Sequence, residues 1–140
     1  MLVRMLYLSR SVGPQTTTMT SSILASAQEF NAPNGITGVL CQGQGFFIQV
    51  LEGERSIVNQ LYNRIVLDQR HKALEMMLLD DIQERRFGRW SMAHVVLSDR
   101  DPPVQMNQPN FDPYATPGRV LLAKLDALIE AGHPINTVVG

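Results

Sequence analysis

The stretch "GITGVLCQGQGFFIQVLEG", residues 35–53, decides the fold. Two apolar runs, "GITGVLCQ" and "GFFIQVLE", lie on either side of "GQG". Apolar strands joined by a short glycine turn read as a β-hairpin. The second run raises a question of its own. Phe46, Phe47, Ile48, Val50 and Leu51 read as a buried strand, yet Gln49 sits among them. A buried amide without a partner costs about 1–3 kcal/mol. In a strand Gln49 shares a face with Phe47 and Leu51, so its partner must lie on that face.

Upstream, "LVRMLYLS" (2–9) also has strand character. Val3, Met5, Tyr7 and Ser9 fall on one face, and Leu2, Arg4, Leu6 and Leu8 on the other. "SVGPQTTT" is a turn leading into a cap-rich helix start. The helix is expected from about Thr18 to Asn31, with Ile23, Ala27 and Phe30 at i, i+4, i+7. Asn34-Gly35 closes it as a turn. Downstream, a second helix is expected from about Glu54 to Gln69, with Ile57, Leu61, Ile65 and Asp68 on one stripe and Arg64 at its edge. Strands "ALEMMLLDD" (73–81) and "RWSMAHVVLS" (89–98) then flank the polar connector "IQERRFG" (82–88). The order β-α-β-β-α-β-β contains the split βαβ pattern. It predicts an α+β, ferredoxin-like sheet with two helices on one face.

The other sheet face carries large apolar groups too, and something must cover it. Residues 101–118 form a Pro-rich linker, after which Pro117 is expected to open a last helix. Val120, Leu121, Leu125, Leu128 and Ile129 make its apolar stripe, and Gly132 and Pro134 stop it. This helix is expected on the second face or against a partner chain, as in a homodimer through the sheet or the helix. The chain thus divides into a domain over 1–97 and a linker with a helical extension over 98–140.

Composition narrows the function. The chain has 140 residues, 44% hydrophobic and 18% charged, with net charge −1. That balance suits one globular domain and gives no overall pull toward nucleic acid or membrane. The single cysteine, Cys41, excludes an intrachain disulfide. No apolar run has the length of a membrane span. Arg4 and Arg10 interrupt the apolar N-terminus, which lacks a small-residue cleavage site, so it reads as a strand of a cytoplasmic protein. His71, His94 and His133 lack metal-ligand spacing, and Asp80 and Asp81 point to opposite strand faces. "GQG" precedes a strand rather than a helix, so it lacks the N-terminus of a phosphate site. "ERRFGR" reads as a solvated loop, and Cys41 as a core residue with no base beside it.

Taken singly, Tyr7 reads as a core tyrosine, Gln49 as a strand amide tied to backbone and Asn31 as a helix cap. Trp90 and Met92, two residues apart, read as one strand face. Taken together, Tyr7, Gln49 and Asn31 converge on the side that two helices cover. An apolar pocket with a few polar groups is how a flat cofactor is held.

"YLS" (7–9), "NAPNGITGVL" (31–40), "FFIQVLEG" (46–53), "DQRH" (68–71) and "RRFGRWSM" (85–92), in this order, resemble the BLUF family, blue-light sensors that use FAD. The resemblance covers about residues 2–97. It implies a flavin between the two helices, above the sheet. It assigns Tyr7 as the photoactive tyrosine, Gln49 as the switching glutamine and Asn31 as the residue bonding the ring edge. Trp90 and Met92 match a strand pair that exchanges places near the flavin. Arg64, Asp68, Arg70 and His71 match the region lining the ring and its tail, with Phe30, Ile36 and Leu51 as further contacts. Phe30 stands where some members carry histidine. The resemblance implies a non-enzymatic switch without metal: light moves an electron and proton from Tyr7, rearranges the Gln49 bonds, and signals to a separate effector. The alternative is a small flavin-dependent or acylphosphatase-like enzyme on the same fold.

Overall fold

The computed structural model describes residues 1–96, 112–130 and 134–135. The elements are β1 (Leu2–Ser11), α1 (Thr17–Asn31), β2 (Thr37–Gly43), β3 (Phe46–Glu54), α2 (Arg55–Val66), β4 (His71–Asp81), β5 (Ala93–Val96), α3 (Gly118–Glu130) and β6 (Pro134–Ile135). A 3-10 turn, Pro113–Ala115, precedes α3. The strands form one sheet in the order β4-β1-β3-β2-β5-β6. All its pairings are antiparallel except β2 with β5. The expected β-α-β-β-α-β-β order is present, and β6 adds a two-residue edge where only a helix stop was expected. Gly132, His133 and most of the linker lie outside the described residues.

The hairpin forms for the reason its sequence suggested. Gln44 and Gly45 join β2 to β3 with φ of 56° and 82°. Positive φ at both central residues marks the turn whose twist matches that of its strands.

Alternation then divides the side chains. Val3, Met5, Leu40, Phe47 and Leu51 meet Leu24 of α1 and Val58 and Leu61 of α2 in one core. Leu6, Leu8, Val39, Cys41, Ile48 and Val50 meet Leu121, Leu122, Leu125 and Leu128 of α3 in the other. The α3 stripe is thus used within the chain, on the sheet face that needed a cover, except that Val120 is exposed and Leu122 is buried in its place. Gly118 opens α3 where a Cβ would lie 2.3 Å from the Met77 carbonyl oxygen of β4, so only glycine fits that approach.

Two boundaries differ most from the expectation, and the connector between β4 and β5 differs in character. The helix α2 stops at Val66, because the Asp68 carboxylate accepts the Arg70 backbone N–H at 2.9 Å and offers the chain a turn instead. The strand β5 starts at Ala93 rather than Arg89. The carbonyls of Trp90 and Ser91 are taken by the Gly38 N–H and the Asn31 side chain. The end of the expected strand, residues 97–98, lies outside the described residues.

The third difference is the connector, residues 82–92. Glu84, Arg86, Gly88 and Arg89 are exposed, as expected of a solvated loop, but the segment is also clamped from beneath. Glu52, fully buried, accepts from Arg4 Nε at 2.8 Å, Arg86 N–H at 3.0 Å and Phe87 N–H at 2.7 Å. Arg85 Nη1 donates to the Glu52 carbonyl at 3.2 Å and to Thr37 Oγ1 at 2.9 Å. Phe87 is buried in the α3-side core. Removing one partner of a buried ion pair leaves an uncompensated charge. Glu52→Ala is therefore expected to cost about 3–5 kcal/mol, read from denaturant midpoints. A loss below about 1 kcal/mol, the range of an exposed pair, would contradict the clamp.

Candidate functional site

Antiparallel pairing sets Tyr7 of β1 directly opposite Gln49 of β3, and Leu40 of β2 on the other side of Gln49. All three line a cleft of about 220 Å³ between α1 and α2. Helical spacing brings Ile23, Ala27, Phe30 and Asn31 of α1 to one wall. Leu61, Arg64 and Ile65 of α2, with Asp68, Arg70 and His71 beyond it, form the other. Two contacts bridge the walls. The Arg64 guanidinium lies 4.7 Å over the Phe30 ring, and Arg70 Nη1 donates to Ser22 Oγ at 2.8 Å.

At the centre, the Tyr7 hydroxyl donates to Gln49 Oε1 at 2.5 Å. Gln49 Nε2 donates to Met92 Sδ at 3.4 Å. A thioether is a weak acceptor, so the amide nitrogen is left with unused donor capacity. Asn31 is fully buried. Its Nδ2 donates to the Ser91 carbonyl at 3.0 Å, but its Oδ1 has no partner among the described residues. An orphaned acceptor at the cleft wall fits a ligand that presents an N–H there. The residues therefore suit a flat heteroaromatic ring with polar edges, such as a flavin.

His71 is fixed at both nitrogens. Nε2 donates to the Ile65 carbonyl at 2.7 Å, and Nδ1 shares a hydrogen bond with the Ser9 hydroxyl at 2.9 Å. Burial pushes the Tyr7 phenol well above its ordinary range, with a further rise from the Asp68 carboxylate. Hydrogen bonds from Arg70 hold the Asp68 carboxyl below its usual range, and the same pairing raises Arg70.

The structure brings together Tyr7, Asn31, Gln49, Phe30, Arg64, Asp68, Arg70 and His71. It leaves out Ile36 and Leu51, which lie in the core without lining the cleft. It also separates Trp90 from Met92. Met92 is buried beside Gln49, while Trp90 packs against the α3-side core. Residues two apart share a face only in a strand, and these two precede β5. Sequence reasoning missed Ser9, Ser22 and Ser91 as partners, and Ser26, Leu40 and Phe47 as lining. Strand parity from Tyr7 and Gln49 pointed to Ser9 and Phe47. A carbonyl contact such as that of Ser91 leaves no trace in residue type. Of the other histidines, His94 is buried away from the cleft lining and His133 lies outside the described residues.

The family model described as sensors of blue light using FAD matches residues 2–93. The chain belongs to the BLUF family. It is 34% identical over 92 residues to photoactivated adenylate cyclase subunit beta of Euglena gracilis, covering 65% of this chain and 11% of that one. It is 29% identical over 92 residues to the blue light- and temperature-regulated antirepressor BluF of Escherichia coli (strain K12), covering 66% of this chain and 23% of that one. The match thus spans less than a quarter of either relative. Among solved structures, BlsA in its ground state matches with a TM-score of 0.84 at 33% identity, over 99% of this chain and 95% of that one. The dark-state structure of the BLUF protein BlrB matches with a TM-score of 0.75 at 28% identity, over 94% and 96%. These BLUF likenesses carry the ferredoxin-like fold, a flavin-using light sensor and no support for the enzyme alternative.

The lowered Asp68 carboxyl has a pH consequence. Its stabilising pair with Arg70 is complete above the unfolded-state value, about 3.9, and is lost as pH falls through the lower folded value. The stability difference between wild type and Asp68→Asn is expected to be flat from about pH 7 to about pH 5 and to shrink below about pH 4. Denaturant titrations across that range check it, and a difference that grows in acid would contradict the pairing.

Proposed function

We propose that this chain is a blue-light photoreceptor that holds one FAD non-covalently between α1 and α2. It reports illumination by exchanging the hydrogen bonds of Gln49. The observation that carries this reading is the buried Tyr7–Gln49 bond, 2.5 Å long, at a cleft into which Asn31 brings an acceptor with no partner among the described residues.

Gln49 and Asn31 hold the polar edge of the ring. Phe30 and the apolar residues of both helices flank it, and Arg64, Asp68, Arg70 and His71 serve the ring edge and the tail. When bound and excited by blue light, a flavin supplies a strong one-electron oxidant. Tyr7 is the oxidisable phenol among the cleft-lining residues and would serve as the donor, its proton leaving along the bond to Gln49 Oε1. Gln49 then turns over or changes tautomer, so its donor and acceptor ends exchange. The weak bond to Met92 Sδ is the contact this exchange gives up most cheaply. Ser91 and Met92 end the connector that Glu52 clamps, so a change at Gln49 reaches that surface element. We assign the output to a separate effector protein in the cytoplasm.

The purified protein is expected to be yellow and to show a reversible red shift under blue light with no substrate added. Tyr7→Phe keeps the ring and its packing but removes the hydroxyl. It should retain FAD at wild-type stoichiometry and lose the shift. A normal light-induced shift in Tyr7→Phe would remove Tyr7 from the mechanism.

A further inference from the structure

We propose that Tyr62 is a second redox-active tyrosine, which carries the oxidising equivalent from Tyr7 to the protein surface. The inference rests on the reading above, in which Tyr7 is oxidised first. It is carried by the placement of Tyr62 on α2. The two phenol rings are 5.9 Å apart between centroids and tilted by 59°, in contact range. Tyr62 is not among the cleft-lining residues. It therefore meets Tyr7 from outside the ligand site.

The two phenols differ in what they can do with a proton. Tyr7 is 3% exposed, and its hydroxyl is committed to Gln49. Burial disfavours any charged form of it. Tyr62 is only half-buried, and no described hydrogen bond involves its hydroxyl. Water can take its proton. A phenol that hands its proton to water is easier to oxidise than one that must hold a charge in a dry core, so the equivalent moves outward, downhill. The other rings compete poorly. His71, in edge contact with Tyr7 at 6.1 Å, is an imidazole and harder to oxidise. Trp90 and Tyr114 pack on the opposite side of the sheet.

The step balances within this chain. Tyr7, having lost an electron but not yet its proton, takes one electron from Tyr62 and returns to a neutral phenol. Tyr62 releases its phenolic proton to water and becomes a neutral tyrosyl radical. The electron given up by Tyr7 would be held by the bound flavin, now reduced by one electron and no longer excited. Back-transfer of that electron to Tyr62, with a proton from water, resets the system. The relay competes with departure of the Tyr7 proton through Gln49, so Tyr62 drains photons from the switch.

The test uses the FAD-loaded full chain, illuminated with a nitroso spin trap that adds to tyrosyl rings, followed by peptide mass spectrometry. The inference expects a light-dependent adduct on Tyr62 in the wild type. Tyr62→Phe should fold, hold FAD, lose the adduct, and give the red shift with a yield at least equal to wild type. Tyr62→Leu, with no ring, should behave alike, which covers a failure of the first variant to fold. Tyr7→Phe should lose the Tyr62 adduct, because the equivalent has no entry. A wild type with a normal red shift and no adduct at Tyr62 overturns the relay and leaves the Tyr7–Gln49 reading standing. An adduct at Tyr62 that survives Tyr7→Phe overturns it as well, since Tyr62 would then be oxidised without Tyr7. A wild type with no red shift at all sinks the photoreceptor reading instead.

Discussion

The antiparallel register of β1 against β3 is the constraint on which the site depends. It sets Tyr7 opposite Gln49 and, three rungs along, Arg4 opposite Glu52. The odd number of rungs sends the two pairs to opposite faces of the sheet. One pair is the candidate switch under α1 and α2. The other is a buried ion pair on the α3 side. A slip of one residue would exchange the faces of every side chain in one strand, and would break both pairs at once. The buried Tyr7–Gln49 bond and the buried Arg4–Glu52 ion pair, both made only in this register, resist that slip.

The two pairs are joined again through the connector. Glu52 holds the backbone of Arg86 and Phe87. From there the chain runs to Ser91, whose carbonyl positions Asn31, and to Met92, whose sulfur touches Gln49. The site is thus approached from two sides by one ladder. Gln49 reaches Tyr7 directly across the sheet, and reaches Glu52 by way of the connector. On the far side, α3 buries four leucines against the sheet. Tyr114, just before it, donates to the Ala73 carbonyl at 2.8 Å, two residues from His71. The C-terminal segment is therefore packed against the strand that carries a cleft residue.

Much of this was legible in the sequence, and the reason is periodicity. Alternation in "LVRMLYLS" and "FFIQVLE" fixed which residues share a face, and so brought Tyr7 and Gln49 together. The spacing of Ile23, Ala27 and Phe30 gave the α1 wall. What escaped was whatever depends on breaking a period. Trp90 and Met92 were read on one strand face, but backbone groups of residues 90 and 91 are bound outside the ladder and the chain crosses from one core to the other. The connector is polar and largely exposed, as its arginines suggest, but that composition hides the buried Phe87 and the clamp beneath it. Its anchor, Glu52, lies far off in sequence, and only the fold brings the two together. The stop of α2 at Val66 turned on a single carboxylate, Asp68, competing for a backbone N–H.

The central claim is that Gln49 is a switch and not a buried defect, and Gln49→Leu tests it most directly. The substitution keeps a similar volume and removes both ends of the amide. If Gln49 served structure alone, the variant would keep its light response and match or exceed the stability of the wild type. The account predicts that the variant folds and binds FAD, more weakly by about 1 kcal/mol for one lost hydrogen bond. Under blue light, its absorption spectrum should show no persistent red-shifted species. A Gln49→Leu protein that still forms a long-lived red-shifted state would contradict the account.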